Sequence, residues 1–215
     1  IFQLLEDSNV ASVEDLNEMA ADHDYAFSFL QDIPLGDPSR LEGYLFPDTY
    51  KFYMGEDPKY VINKMLVNFD SKVDDAVRQK ISETGYSIRD ILTIASMIEK
   101  ETDGTDRTTI ASVIYNRLNN PGASTAGYLQ IDATIQYVLP EGKIVQESDY
   151  QGVDSPYNTY KNKGLPPGPI ANPGMESITA ALNPQSTNYY YYALGDDHLH
   201  HFFSSYAEHQ AFLNS

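Results

Sequence analysis

The sequence predicts an α+β protein, and three observations predict it. Apolar residues recur at helical spacing from about residue 57 to 118. Two short aromatic-rich runs near the C-terminus, joined by Gly195-Asp-Asp-His, read as a strand pair. Between them, residues 151–174 hold five prolines and four glycines among Tyr, Asn and Thr, the composition of a long ordered loop. The 215 residues leave room for one large domain or two small ones. A chain of this length buries about 70% of the surface its unfolded form exposes, so its core needs no crosslinks. That suits a sequence without cysteine.

The elements follow in order. Ser12-Val-Glu-Asp15 has capping-box spacing and opens a first helix over 13–22, with Val13, Leu16, Met19 and Ala20 at helical intervals. Residues 31–40 have loop composition, and a subdomain boundary is placed near residue 40. Asp57-Pro58 supplies an N-cap and a first-turn proline for the longest helix, from Val61 through Ile81 to Gly85. A helix opening at Ser87–Asp90 is so uniformly apolar, from Ile91 to Ile98, that it must be buried on most sides. Further helices are expected over 108–118, from Asp132 to Leu139, from Asn172-Pro173 through Leu182, and over 206–213. Strands are expected over 189–194 and 199–204.

Composition excludes several function classes. The formal net charge of −17 repels a phosphate backbone, so nucleic acid is not an expected partner. No stretch approaches the roughly 18 apolar residues of a membrane span. The chain opens without Met, inside an apolar run, and is read as a fragment lacking an upstream segment. No phosphate-binding loop or nucleophile elbow is present, so no cofactor is expected. His198, His200 and His201 lack the convergent partners of a metal site, and no metal is expected.

Glu99 interrupts the buried helix. Leu92, Ala95 and Ser96 share its stripe, so its carboxyl faces the core side, where a desolvated acid keeps its proton and can work as a general acid near neutrality. The alternative is a helix-end Glu pairing with Lys100 or Arg107. Glu101 and Asp103 fall round the other side or past the helix end and are read as solvated. Gln130 and Asp132 put a planar amide and a carboxylate two residues apart as candidate ligand contacts, although Asp132 also reads as the N-cap of the helix from Ala133. Tyr157, Asn158, Thr159 and Tyr160 offer aromatic faces and hydrogen-bonding groups to a ligand. Tyr44, Phe46 and Tyr50 could line the same groove, whereas the tyrosines of 189–192 read as sheet packing.

Six motifs, in order over some four-fifths of the chain, carry a resemblance. They are Leu41-Glu-Gly-Tyr-Leu-Phe-Pro-Asp-Thr-Tyr50, Ile94-Ala-Ser-Met-Ile-Glu-Lys-Glu-Thr102, Ala111-Ser-Val-Ile-Tyr-Asn-Arg-Leu118, Leu129-Gln-Ile-Asp-Ala-Thr134, Tyr157-Asn-Thr-Tyr160 and Gly164-Leu-Pro-Pro-Gly-Pro-Ile-Ala-Asn-Pro-Gly174. Together they resemble the MltG/YceG-like endolytic murein transglycosylases. The resemblance implies a lysozyme-like helical catalytic core over 41–215 and a partial LysM-like subdomain over 1–40. It implies cleavage of peptidoglycan strands between N-acetylmuramic acid and N-acetylglucosamine, leaving 1,6-anhydro ends, with the catalytic glutamate on the first Glu of Glu-Lys-Glu-Thr, hence Glu99. It further implies a site on the extracytoplasmic face of a bacterial membrane, anchorage only through an N-terminal helix missing here, and cell-wall synthases as partners. Two rivals stay open: a hydrolase using Asp132 or Glu101 as a second carboxylate, and a glycan-binding scaffold that does not cut.

Overall fold

The computed structural model describes residues 1–102 and 104–215, and its chain divides into two compact units, Ile1–Ile88 and Arg89–Ser215. Helices and a small antiparallel sheet make it an α+β protein, as expected.

The first unit is helical. It begins with a short helix that the sequence pattern did not reveal, α1 (Phe2–Asp7), followed by α2 (Val13–Asp22), whose N-terminus is capped as predicted by the Ser12 hydroxyl accepting from the Asp15 amide at 3.1 Å. The predicted long helix is two. α3 (Pro58–Lys72) starts at the Asp57 cap, and α4 (Asp75–Thr84) ends at Gly85, which takes the left-handed conformation. The break lies at Val73-Asp74, where the Asp74 carboxylate accepts from the Val77 amide at 2.9 Å and restarts the helix as an N-cap. Val73 is buried on the same apolar pattern, which is why periodicity alone ran through the break. The core gathers Leu16, Val61, Ile62 and Leu66 around an aromatic cluster in which Phe29, Tyr44 and Phe69 lie 4.8–5.6 Å apart, ring centre to ring centre.

The second unit is built on α5 (Ile88–Glu101), whose residues Ile91–Ile98 are all buried, as its unbroken apolar run predicts. α6 (Arg107–Asn119) adds Ile110, Val113 and Ile114 to that core and packs against α9 (Met175–Leu182), where the Tyr115 hydroxyl donates to the Ala181 carbonyl at 2.9 Å. Two short helices, α7 (Asp132–Gln136) and α8 (Glu147–Gly152), lie between, the second opening the expected loop. α9 starts after Gly174, later than the Asn-Pro signal suggested. The C-terminal strands β1 (Tyr191–Leu194) and β2 (His200–Phe203) pair antiparallel with Tyr192 opposite Phe202 and Leu194 opposite His200. α10 (Tyr206–Leu213) closes over this hairpin, with Phe212 against Phe203 and His201.

Candidate active site

The end of α5 delivers two glutamates with opposite surroundings. Glu99 is half-buried, as its stripe predicts, but its carboxylate is already engaged: it accepts from the Ser177 hydroxyl at 2.5 Å and from the Gly174 amide at 3.3 Å. Gly174 is the N-cap of α9, so Glu99 accepts from a backbone amide that the helix itself leaves without a partner. Neither alternative partner takes it; Arg107 instead pairs with Glu176 at 3.0 Å.

Glu101 corrects the expectation of a solvated side chain. It is half-buried, and burial pushes its carboxyl above the usual carboxylate range. The charge of Asp132 adds to the rise, while the Tyr192 hydroxyl, donating at 2.7 Å, the charge of His200 and the Ala133 amide oppose it. The helix phase was read rightly, since Glu101 does leave the α5 core stripe, but strand and loop segments cover the side to which it turns. Asp103, read as solvated with it, lies outside the described residues.

Two depressions share Glu101 in their walls. One, of about 760 Å³, runs from Glu101 past Thr102 and Asp106 to the hairpin residues Leu194, Leu199 and His200. The other, of about 510 Å³, is lined by Asp132, Tyr137, Ile144 and Ile170. Lys100 and Glu101 border both, whereas Glu99 borders only the first.

The wall beyond Glu101 is formed by the segment around α7. Asp132 does not cap its helix: Ile131 occupies the cap position without a side-chain bond, and the Ala133 amide goes to Glu101. The Asp132 carboxylate is exposed and accepts from two tyrosines, Tyr160 at 2.5 Å and Tyr150 at 3.2 Å, whose rings stack 4.1 Å apart and nearly parallel. Gln130 is exposed at a positive φ of 52°, a costly backbone for a residue other than glycine. Tyr157 packs at a tilt against Tyr137, a lining residue of the second depression, with ring centres 5.0 Å apart. Asn158 and Thr159 are buried and engaged by the protein itself. The Asn158 amide bonds the carbonyls of Tyr150 and Val153, and the Thr159 hydroxyl accepts from the Ile131 amide at 3.0 Å. They tie the Pro-rich loop to α7 and hold its tyrosines in place. Of the other candidates, Tyr44 is buried in the first unit's aromatic cluster, and Phe46 and Tyr50 line an apolar groove in that unit.

Three contributors escaped the sequence reading. Tyr192, assigned to sheet packing, is the hydroxyl donor to Glu101. His200 lies against Asp106, Nδ1 to Oδ2, at 2.6 Å. Arg117 is buried, donates to the carbonyls of Leu129 and Tyr190, and lies near enough to Glu101, Tyr160 and Tyr192 to interact with them electrostatically. Its place on the stripe of Ile110, Val113 and Ile114 was the one available signal. The hairpin residues gave none, because strand register says nothing about which distant helix end a strand meets. Among the described residues, no group of three or more His, Asp or Glu gathers as a metal site.

Known proteins share this chain's sequence and fold. The YceG-like family matches residues 1–215. A Bacillus subtilis (strain 168) protein named endolytic murein transglycosylase is 43% identical over 154 residues, 71% of this chain and 41% of that protein. A Streptococcus pneumoniae protein of the same name is 34% identical over 178 residues, covering 77% of this chain and 31% of its own length. The chain thus spans less than half the length of either relative. A crystal structure of a yceG-like protein from Listeria monocytogenes superposes with a TM-score of 0.81 at 33% identity, covering 97% of this chain and 70% of that one. On sequence and on fold, the chain belongs to the YceG-like family.

Proposed function

We propose that the chain carries the catalytic part of a murein lytic transglycosylase, cutting peptidoglycan strands between N-acetylmuramic acid and N-acetylglucosamine, with Glu101 as the single general acid and base. The observation that carries this reading is the position of Glu101: a carboxyl raised by burial, held by a tyrosine hydroxyl, in the walls of two depressions where sugars can lie on both sides of a scissile bond. Protonated Glu101 gives its proton to the glycosidic oxygen as the C1–O bond breaks. The resulting carboxylate then takes the proton of the C6 hydroxyl as that oxygen bonds to C1. No water is consumed, and the acid is returned protonated.

The assignment moves the acid two residues from Glu99, whose carboxylate is bound to Ser177 and the start of α9. Asp132, fixed by Tyr150 and Tyr160, the exposed Gln130 and the half-buried Tyr157 would contact the glycan, with Asn158 and Thr159 supporting the loop that carries Tyr157 and Tyr160. On this reading the helices of 41–215 form a lysozyme-like core, and residues 1–40 are the end of a LysM-like unit. The protein would work at the extracytoplasmic face of the membrane beside cell-wall synthases. None of its described helices is long and apolar enough to cross a membrane, so any anchor would lie outside them.

A second reading is favoured by one observation: the Asp132 charge acts on Glu101 across the same cleft. With Asp132 as base the enzyme would be a hydrolase. Digestion of purified peptidoglycan, with mass analysis of the products, decides. Anhydro ends lost in Glu101→Gln and kept in Glu99→Gln are expected. Loss in Glu99→Gln alone would return the acid to position 99, and products one water heavier would establish the hydrolase.

A further inference from the structure

The helix that carries Glu101 also holds the Pro-rich segment 167–174, and it does so with one stripe of side chains. Arg89, Ser96 and Glu99 lie on a common face of α5, seven and three residues apart. Arg89 Nε donates to the Pro167 carbonyl at 3.2 Å, the Ser96 hydroxyl accepts from the Ile170 amide at 3.0 Å, and Glu99 accepts from the Gly174 amide at 3.3 Å. The ties follow the same order in both partners, so the segment runs along α5 in the direction that leads to the acid. Between the first two, the Arg89 guanidinium lies so close over Gly168 that a Cβ there would collide with it.

The middle tie is the buried one. Ser96 is 0% exposed and Ile170 4%. The Ser96 hydroxyl donates to the Thr93 carbonyl at 2.8 Å, which commits its proton and leaves its oxygen as the acceptor for Ile170. A buried amide that loses its acceptor is left unpaired, so this bond fixes the backbone at Ile170. Ile170 in turn lines the second depression together with Glu101 and Asp132.

Resting on the proposed glycan cleft, we propose that Ser96 is a positioning residue for the substrate: it fixes Ile170, and with it the seat of the sugar in the second depression, at a set place relative to Glu101. The acid and the residue lining that seat are then both referred to one rigid helix. Ser96 itself touches no sugar and acts only through the Ile170 backbone. It therefore governs how well a strand binds rather than how fast a bound strand is cut.

Binding of soluble, uncrosslinked glycan strands to the intact chain carrying Glu101→Gln needs no turnover and reads the seat directly. In that background Ser96→Ala and Ile170→Ala should each raise Kd about tenfold, the scale set by one ill-fitting apolar contact. The double variant should bind no more weakly than the weaker single, because Ser96 acts only through Ile170. With Glu101 intact, Ser96→Ala should raise KM by the same factor and hold kcat to within about twofold. Where Ser96→Ala fails to fold, Gly168→Ala takes its place with the same expected directions, since it displaces the Arg89 guanidinium from Pro167 and leaves Ser96 in the core. An unchanged Kd, losses that multiply in the double variant, or a fall in kcat with KM in place overturns the proposal and leaves Ser96 as a core tie. Strands bound with the expected pattern but not cut by the wild-type chain would refute the enzymatic reading and uphold the seat. No binding at all overturns both.

Discussion

The Tyr192 hydroxyl and the Glu101 carboxylate, 91 positions apart in sequence, are joined by a 2.7 Å hydrogen bond that links the end of the buried helix to the C-terminal hairpin. The bond favours the ionised form of the acid and so partly offsets the burial that holds its proton on.

Tyr192→Phe removes that donor and leaves the ring. Glu101 should then bind its proton more tightly, moving the alkaline limb of kcat/KM to higher pH. Lost hydrogen bonding should cost about 1 kcal/mol of stability. Parallel pH–rate profiles and chemical denaturation check both. A limb that moved to lower pH would contradict the geometry.

Glu99→Ala and Glu101→Gln should have opposite effects on stability. Removing Glu99 leaves the Ser177 hydroxyl and the α9 N-terminus without their acceptor and should cost about 1–2 kcal/mol. Glu101 has its folded pKa raised above the unfolded value. Its contribution is therefore fully present below the unfolded value and is lost as pH rises through the folded one. Glu101→Gln should be more heat-stable than wild type at neutral and alkaline pH, with the gap closing near pH 4. Thermal melts over pH 4–9 read this directly.

Asp132→Asn removes a charge that helps keep Glu101 protonated. The alkaline limb should fall to lower pH, opposite to Tyr192→Phe, while residual anhydro products persist. Abolished turnover would instead mark Asp132 as a base.

In the first unit, Asp74→Ala deletes the cap that restarts the helix at α4. A loss of about 1 kcal/mol, with little change in glycan cleavage, is expected from denaturation and digestion assays.

The helices were largely legible because each carries its own evidence: Ser12 and Asp57 announce α2 and α3, and the unbroken run from Ile91 to Ile98 declares α5 buried. The break at Val73-Asp74 was not, because a single capping carboxylate interrupts an apolar pattern that continues in phase on both sides. On the proposed assignment, the acid was legible only to within one turn of helix. Stripe position shows that Glu99 leaves solvent, but not that Ser177 receives it, and it places Glu101 off the core without revealing that Tyr192 and Ala133 close over it. Those partners come from segments more than thirty residues away, and periodicity carries no record of them. The Asp132 cap failed for a related reason: tyrosine hydroxyls at 150 and 160 compete for its oxygens.

The buried guanidinium of Arg117 reaches the carbonyl of Leu129 with one arm and that of Tyr190 with another. Leu129 directly precedes the stretch that ends in Asp132, and Tyr190 lies two residues before Tyr192. One rigid planar group thus acts as a rivet through both banks of the groove, and the spacing between the acid's tyrosine and the opposing carboxylate is gauged from a single side chain that no substrate need ever touch.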